Sequence, residues 1–206
     1  MKLYLRPDCP FCWKVRLFLF EIEFDCQEVI VELGTKHPDV VALNPNATVP
    51  VLIDGALILF ESAVIIEYLV DKFPESRLMS GTPVERANIR QIHSYSDNSM
   101  GKILFPYIKQ VRENGAASVG ADVKRTTSVA WTGCQEKLSV LLGGKDFFSA
   151  DFSVAECALI PRFALAMTYG LTIDKEFNNL QRWYLRCAKR ASFIRALPAS
   201  FPGINN

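Results

Sequence analysis

Histidine is scarce in this chain of 206 residues, with 2 in all, His37 and His93. A structural zinc site needs a tetrahedral set of close ligands, and no second Cys or His pair stands near enough in sequence to complete one, so no bound metal is expected. The 6 cysteines (Cys9, Cys12, Cys26, Cys134, Cys157, Cys187) are too sparse for a disulfide scaffold. No uninterrupted apolar run reaches the roughly 18 residues of a membrane helix. The opening MKLYLRPD lacks the apolar stretch and small-residue cleavage site of a secretory signal. Nor does either charge dominate: 23 Lys and Arg face 22 Asp and Glu, a net charge of +1. That balance gives no global reason to expect nucleic acid or an anionic membrane as partner. These absences together predict a cytoplasmic protein with reduced thiols.

What the chain does have is enough apolar material for a core, 50% of its residues against 22% charged. Its first eighty or so residues alternate strand-like and helical patterns. KLYL reads as a strand, and Val15, Phe18, Leu19 and Ile22 then recur at helical spacing. A second strand is expected around CQEVIV, and a short helix near HPDVVAL. VPVLIDGALILF is two apolar runs around Asp54-Gly55, a hairpin signal. Ser62 is placed to cap a helix whose apolar face is Ile66, Leu69, Val70 and Phe73. PESRLMSGTP then loses periodicity. We therefore expect an α/β domain over residues 1–75, a linker over 76–83 and an all-α domain over 84–206. In the latter, Ser153 followed by Glu156 reads as a capping box, and Leu180, Trp183, Tyr184 and Cys187 mark an amphipathic helix.

Chemistry concentrates in RPDCPFCWKV. Cys9 falls where a strand ends and a helix begins, facing unpaired N–H groups and the positive end of the helix dipole, both of which favour thiolate. Pro10 fits the first helical position. Such settings lower a cysteine pKa from about 8.5 to between roughly 3.5 and 7.5. Cys9 is then the attacking residue, with Cys12 one turn inward as an optional resolving thiol. A redox pair and two unreactive cysteines at a helix start both satisfy the spacing. The remaining cysteines fall in apolar, periodic surroundings and read as small core residues.

The distant segment NATVPVLIDGALILFES supplies context. A proline opening a strand cannot donate to the sheet, and a cis Val49-Pro50 bond would turn the Val49 backbone outward, free to pair with an extended peptide. Glu61 and Ser62 begin a helix whose N–H groups and hydroxyl can hold a carboxylate, while Glu61 can accept from an ammonium group. Carboxylate, ammonium and a backbone edge beside a thiol describe a receptor for a γ-glutamyl peptide such as glutathione. The plainer alternative for Glu61-Ser62 is an acidic residue beside a helix cap.

CPFC after the first strand, NPNATVPVL, FES opening the third helix and FSVAEC occur in an order that resembles the glutathione S-transferase superfamily over essentially the whole chain. The resemblance implies a thioredoxin-like α/β domain followed by an all-α domain, and a homodimer. It implies that Val49 holds the cysteinyl backbone of glutathione, that Pro50 is cis, and that Glu61 and Ser62 hold the γ-glutamyl end. Cys9 is similar to the cysteine of the omega-like and glutaredoxin-like members, which form a mixed disulfide with glutathione as co-substrate. That implies a cysteine-type thiol transferase acting on a small electrophilic or disulfide substrate. Where such members place Lys before Pro to grip the glycyl carboxylate, this chain offers Lys36 and His37 before Pro38. Where the family usually has Gly before the Val-Pro turn, it has Asn46-Ala47.

LNPNATVPVL, EYLVDKFPESRLM and FFSADFSVAEC also resemble the stringent starvation protein A family, which shares the fold. That resemblance implies a regulator that binds RNA polymerase and is not a transferase. Its His-Pro-Pro surface would fall at Glu75, Ser76 and Arg77, and the family generally lacks C-x-x-C, so both differences favour the enzyme. Tyr95, Phe105 and Tyr107 are candidates for a second-substrate pocket facing Cys9, or for packing. The basic stretches KRTTS and RCAKRASFIR read as solvated faces.

Overall fold

The structure is a computed structural model that describes residues 1–199 and 201. Residues 200 and 202–206, the end of the segment expected to be all-α, lie outside the described residues.

Strand β1 (Lys2–Leu5) pairs parallel with β2 (Gln27–Ile30) and antiparallel with β3 (Val51–Asp54), which turns at Gly55 into β4 (Leu57–Phe60). The sheet order is β2-β1-β3-β4. Gly55 has φ +61, which glycine adopts without strain in a tight hairpin. Helix α1 (Pro10–Glu21) crosses from β1 to β2, α2 (Pro38–Leu43) joins β2 to β3, and α3 (Ser62–Lys72) follows β4. This is the α/β unit that the first eighty residues predict, in the thioredoxin-like arrangement that the family resemblance implies. The helical half runs through α4 (Pro83–Tyr95), α5 (Gly101–Asn114), α6 (Ala121–Leu142), α7 (Val154–Thr168), α8 (Asn178–Ala188) and α9 (Ala191–Ala196). One π-helical turn, Ser96–Met100, links α4 to α5.

Two layers of core explain why α1 is so apolar. Tyr4, Val31, Val40 and Val51 fill the space on the α2 side of the sheet. On the other side, Leu3, Leu5 and Leu52 join one continuous cluster that includes Trp13 and Phe18 of α1, Phe163 of α7 and Trp183 of α8. Helix α1 packs against α3, α7 and α9, so every residue from Cys12 to Leu19 is buried. Removing a side chain such as Phe18 from water contributes about 2 kcal/mol. Lys14 and Arg16, which helical spacing places outside the apolar stripe, are buried as well. Their charges are met from afar: Arg16 donates to Glu28 and to the carbonyl of Ala196, at 2.7 and 2.8 Å.

Three expectations need correction. Ser62 does not cap α3: Glu61 is the N-cap residue, without a side-chain cap bond, and Ser62 is the first helical residue. The break from β4 turns the backbone one residue earlier than hydroxyl spacing suggests. Cys26 is only half-buried, at the edge before β2, whereas Cys134, Cys157 and Cys187 are core residues. In KRTTS, Arg125 is exposed as expected, but RCAKRASFIR is not simply a solvated face. Arg186 pairs with Asp146, Arg190 with Glu21 and Arg195 with Asp25, at 2.6, 2.5 and 2.7 Å.

Candidate active site

Cys9 is the N-cap residue of α1, in extended conformation (φ −87, ψ 118), with Pro10 at the first helical position. Its carbonyl accepts the first helical bond from the Trp13 N–H at 2.8 Å, and its own N–H donates to Arg6 O at 3.1 Å. The side chain is 8% exposed. A hydrogen bond from the Cys12 thiol draws the Cys9 pKa down to about 6, against the opposing effect of burial. The backbone N–H groups of Phe11 and Cys12 and the Arg6 guanidinium act in the same direction. Cys12 is fully buried, and burial together with the charge of Cys9 pushes its thiol well above the ordinary range. The two cysteines thus divide into one thiolate and one thiol that donates a hydrogen bond to it. Alkylation of Cys9 by iodoacetamide is therefore expected to follow a titration with its midpoint near pH 6. Cys12→Ala removes the donor and should move that midpoint up by about one unit; a midpoint above pH 8 in the unaltered protein would contradict this electrostatic arrangement.

A cavity of about 370 Å³ opens beside Cys9 and is also lined by His37, Val49, Pro50, Glu61 and Ser62. The structure thus brings together six of the eight residues that the sequence nominates. Cys12 lies beneath the surface, and Lys36 is exposed without lining the cavity. Val49-Pro50 is a cis peptide, and Val49 precedes the paired part of β3. The buried Asn44 shapes the loop before it. Its amide donates to Thr48 O at 2.8 Å and its oxygen accepts from the Asn46 N–H at 2.9 Å. Ala47 takes φ +50 where a glycine would be at ease. Glu61 has φ +66 and ψ 108, sparsely populated values that cost a non-glycine residue on the order of 1–3 kcal/mol. It accepts from the Asn46 amide at 3.2 Å, joining the two loops that border the cavity. Ser62 follows at the N-terminus of the 11-residue α3. His37 is engaged as the N-cap of α2, accepting from the Asp39 N–H at 3.3 Å, and packs edge-on to Tyr4.

A second cavity, of about 830 Å³, lies between the start of α1 and α5, and Cys9 lines this one too. Phe11, Leu104, Ile108 and Leu165 make it apolar, with Phe105 at its edge. Of the three aromatic candidates only Phe105 belongs here. Tyr95 lines a separate hollow with Val140 and Leu141, and Tyr107 is buried, its hydroxyl donating to Tyr169 O. The charged residues around this cavity carried no sequence signal. Asp8 pairs with both Arg6 and Arg112, at 2.6 and 2.9 Å. Asp97, carried by the π-helical turn, pairs with the buried Lys14 and stands 3.5 Å from Arg162. Burial would raise the Asp97 pKa, but His93 and Lys14 overcome it and hold the carboxyl at about 2. Among the described residues no three His, Cys, Asp or Glu side chains gather as a metal site.

Comparison with known proteins fits this geometry. The family model for the glutathione S-transferase N-terminal domain matches residues 3–77. Over 188 residues the chain is 30% identical to glutathione S-transferase GstB of Escherichia coli strain K12, covering 86% of this chain and 88% of that protein. The chain belongs to the glutathione S-transferase family. A further relative is a stringent starvation protein A homolog of Haemophilus influenzae, 39% identical over 206 residues, 98% of this chain and 92% of the relative. The crystal structure of a glutathione S-transferase from Rhodospirillum rubrum superposes with a TM-score of 0.85 at 23% identity, covering 95% of this chain and 90% of that one, which shows the shared fold. For this family member, as for the fold, no described helix is long and apolar enough to cross a membrane.

Proposed function

We propose that this transferase is of the cysteine type and that Cys9 forms a mixed disulfide with glutathione. The observation that carries the reading is the position of Cys9 on the wall common to both cavities, with its thiol favoured as thiolate. Glutathione fits the smaller cavity. The unpaired backbone of Val49, oriented by cis Pro50, meets the cysteinyl residue. Ser62 and the first N–H groups of α3 receive the γ-glutamyl carboxylate, and the Glu61 carboxylate its ammonium group. His37, with the neighbouring Lys36, attends the glycyl end.

In the first step the Cys9 thiolate attacks the glutathionyl sulfur of a mixed disulfide, forming Cys9–S–S–glutathione and expelling the substrate as thiolate, which takes up a proton. In the second, the thiolate of a free glutathione attacks the glutathionyl sulfur, giving oxidised glutathione and restoring the Cys9 thiolate. The burial of Cys12 supports this monothiol route, with Cys12 keeping its proton as hydrogen-bond donor to the Cys9 thiolate and its role as resolving thiol optional. The setting of the reading is a homodimer in the cytoplasm, taking a small electrophilic or disulfide substrate.

The test is incubation with oxidised glutathione followed by intact mass measurement. One glutathione adduct, lost in Cys9→Ser, is expected; neither an adduct nor a Cys9–Cys12 disulfide would end the reading. The 39% identity to a stringent starvation protein A homolog supports a second reading, a polymerase-binding regulator. It requires co-purification with RNA polymerase that survives Cys9→Ser.

A further inference from the structure

Arg6 stands where both halves of the molecule meet the thiol. Its carbonyl accepts from the Cys9 N–H at 3.1 Å, its own N–H donates to the Cys12 sulfur at 3.5 Å, and it lines both cavities together with Cys9. The guanidinium donates through Nε to one oxygen of Asp8 at 2.6 Å. The other Asp8 oxygen lies 2.9 Å from Nη2 of Arg112, which α5 brings from the helical half. Arg112 is fixed from behind as well: its Nε donates to the Tyr169 hydroxyl at 2.5 Å, and its guanidinium lies 5.3 Å from the centre of that ring. One carboxylate is thus divided between two arginines, each on its own oxygen, and the three groups together keep one positive charge. Their side chains are only 21–25% exposed, so solvent screens that charge incompletely.

Other charges border the thiol. Lys14 of α1 is met by Asp97, which stands 3.5 Å from Arg162 of α7, with the buried His93 beside them. Lys102, Lys109 and Glu113 of α5 are exposed, and Glu32, His37 and Glu61 border the smaller cavity. None of these is paired with Arg6 or Asp8. We infer that Arg112 is a positioning residue for Cys9: by holding one oxygen of Asp8 it leaves Arg6 a net positive neighbour of the sulfur, so that the helical half sets the readiness of the nucleophile. A cation beside a cysteine favours thiolate over thiol, and Arg6 acts in that direction on both Cys9 and Cys12. Without Arg112, Asp8 would belong to Arg6 alone and offset it. The inference deepens the reading of Cys9 as nucleophile, yet it is measured on the free protein, without glutathione.

The experiment follows alkylation of Cys9 by iodoacetamide against pH in a set of charge variants of the full chain, with the modified peptide identified by mass. Arg112→Gln is expected to raise the midpoint by about half a unit to one unit, and Asp8→Asn to lower it by a similar amount. Arg112→Lys, which keeps the charge, should stay close to the unaltered protein. The double variant of Asp8→Asn with Arg112→Gln leaves Arg6 alone with its charge and should return near the starting midpoint. Loosened packing would move both single variants the same way, so shifts of opposite sign identify the charge as the cause. Shifts of the same sign, an unmoved midpoint in Arg112→Gln, or a double variant that does not return would each overturn the inference. Should Arg112→Gln fail to fold, Asp8→Asn decides, by whether its midpoint falls. Opposite shifts in a protein that forms no glutathione adduct keep this inference and end the glutathione reading; an adduct with unmoved midpoints ends only this one.

Discussion

Cys9→Ser is expected to lower kcat/KM for reduction of a glutathione mixed disulfide by at least about a thousandfold. The loss follows from the chemistry of exchange at sulfur. A thiolate near pKa 6 is the main species at neutral pH, whereas a serine hydroxyl in the same place stays protonated and forms no disulfide. The substitution keeps the size of the side chain and leaves Val49, Glu61 and Ser62 in place, so glutathione affinity should change by less than about threefold. The measurement is glutathione-coupled disulfide reduction beside direct titration of glutathione. Activity within tenfold of the unaltered protein would move the nucleophile away from Cys9. A loss of binding equal to the loss of rate would instead make Cys9 a binding residue.

The largest effect on stability is expected far from the thiol, at Glu156. Its carboxylate is 0% exposed and closes the capping box of α7, accepting from the Ser153 N–H and hydroxyl at 2.9 and 2.7 Å. Its other oxygen accepts from the Phe148 N–H at 2.7 Å, so one side chain also fixes the loop before the helix. Glu156→Ala strands buried donors at about 1–3 kcal/mol each and opens space in the core, for a total of about 3–5 kcal/mol. Urea unfolding followed by circular dichroism should show that loss as a lower midpoint with an unchanged slope. Glu156→Gln, which still offers one acceptor oxygen, should recover part of it. A cost below about 1 kcal/mol for Glu156→Ala would mean that the loop finds other partners.

This capping box was legible because it is local: Ser153 and Glu156 lie three apart and need no distant partner. The same holds for the Asp54-Gly55 hairpin and for Cys9-Pro10 at a strand-to-helix junction. The buried charges were not legible, since period and polarity assign Lys14 and Arg16 to the surface. Their partners Asp97 and Ala196 lie 83 and 180 residues away, and only the docking of the helical half makes burial tolerable. The strained backbone at Glu61 left no trace either, for it is not the glycine that announces a positive φ; at Ala47 only the family's usual glycine in that loop pointed to it. Six of the eight nominated residues meet in one cavity because the turns that carry them are encoded locally. The Arg6, Asp8 and Arg112 cluster emerges only when α5 is laid against the end of β1.

Helix α1 carries the thiol at its first turn and is enclosed from Cys12 to Leu19 by elements of both halves. Solvent reaches such a backbone through opening of the whole molecule rather than through local fraying. The nucleophile is therefore mounted on an element that exchanges its amide protons through global opening, and its own position has the lifetime of the fold itself.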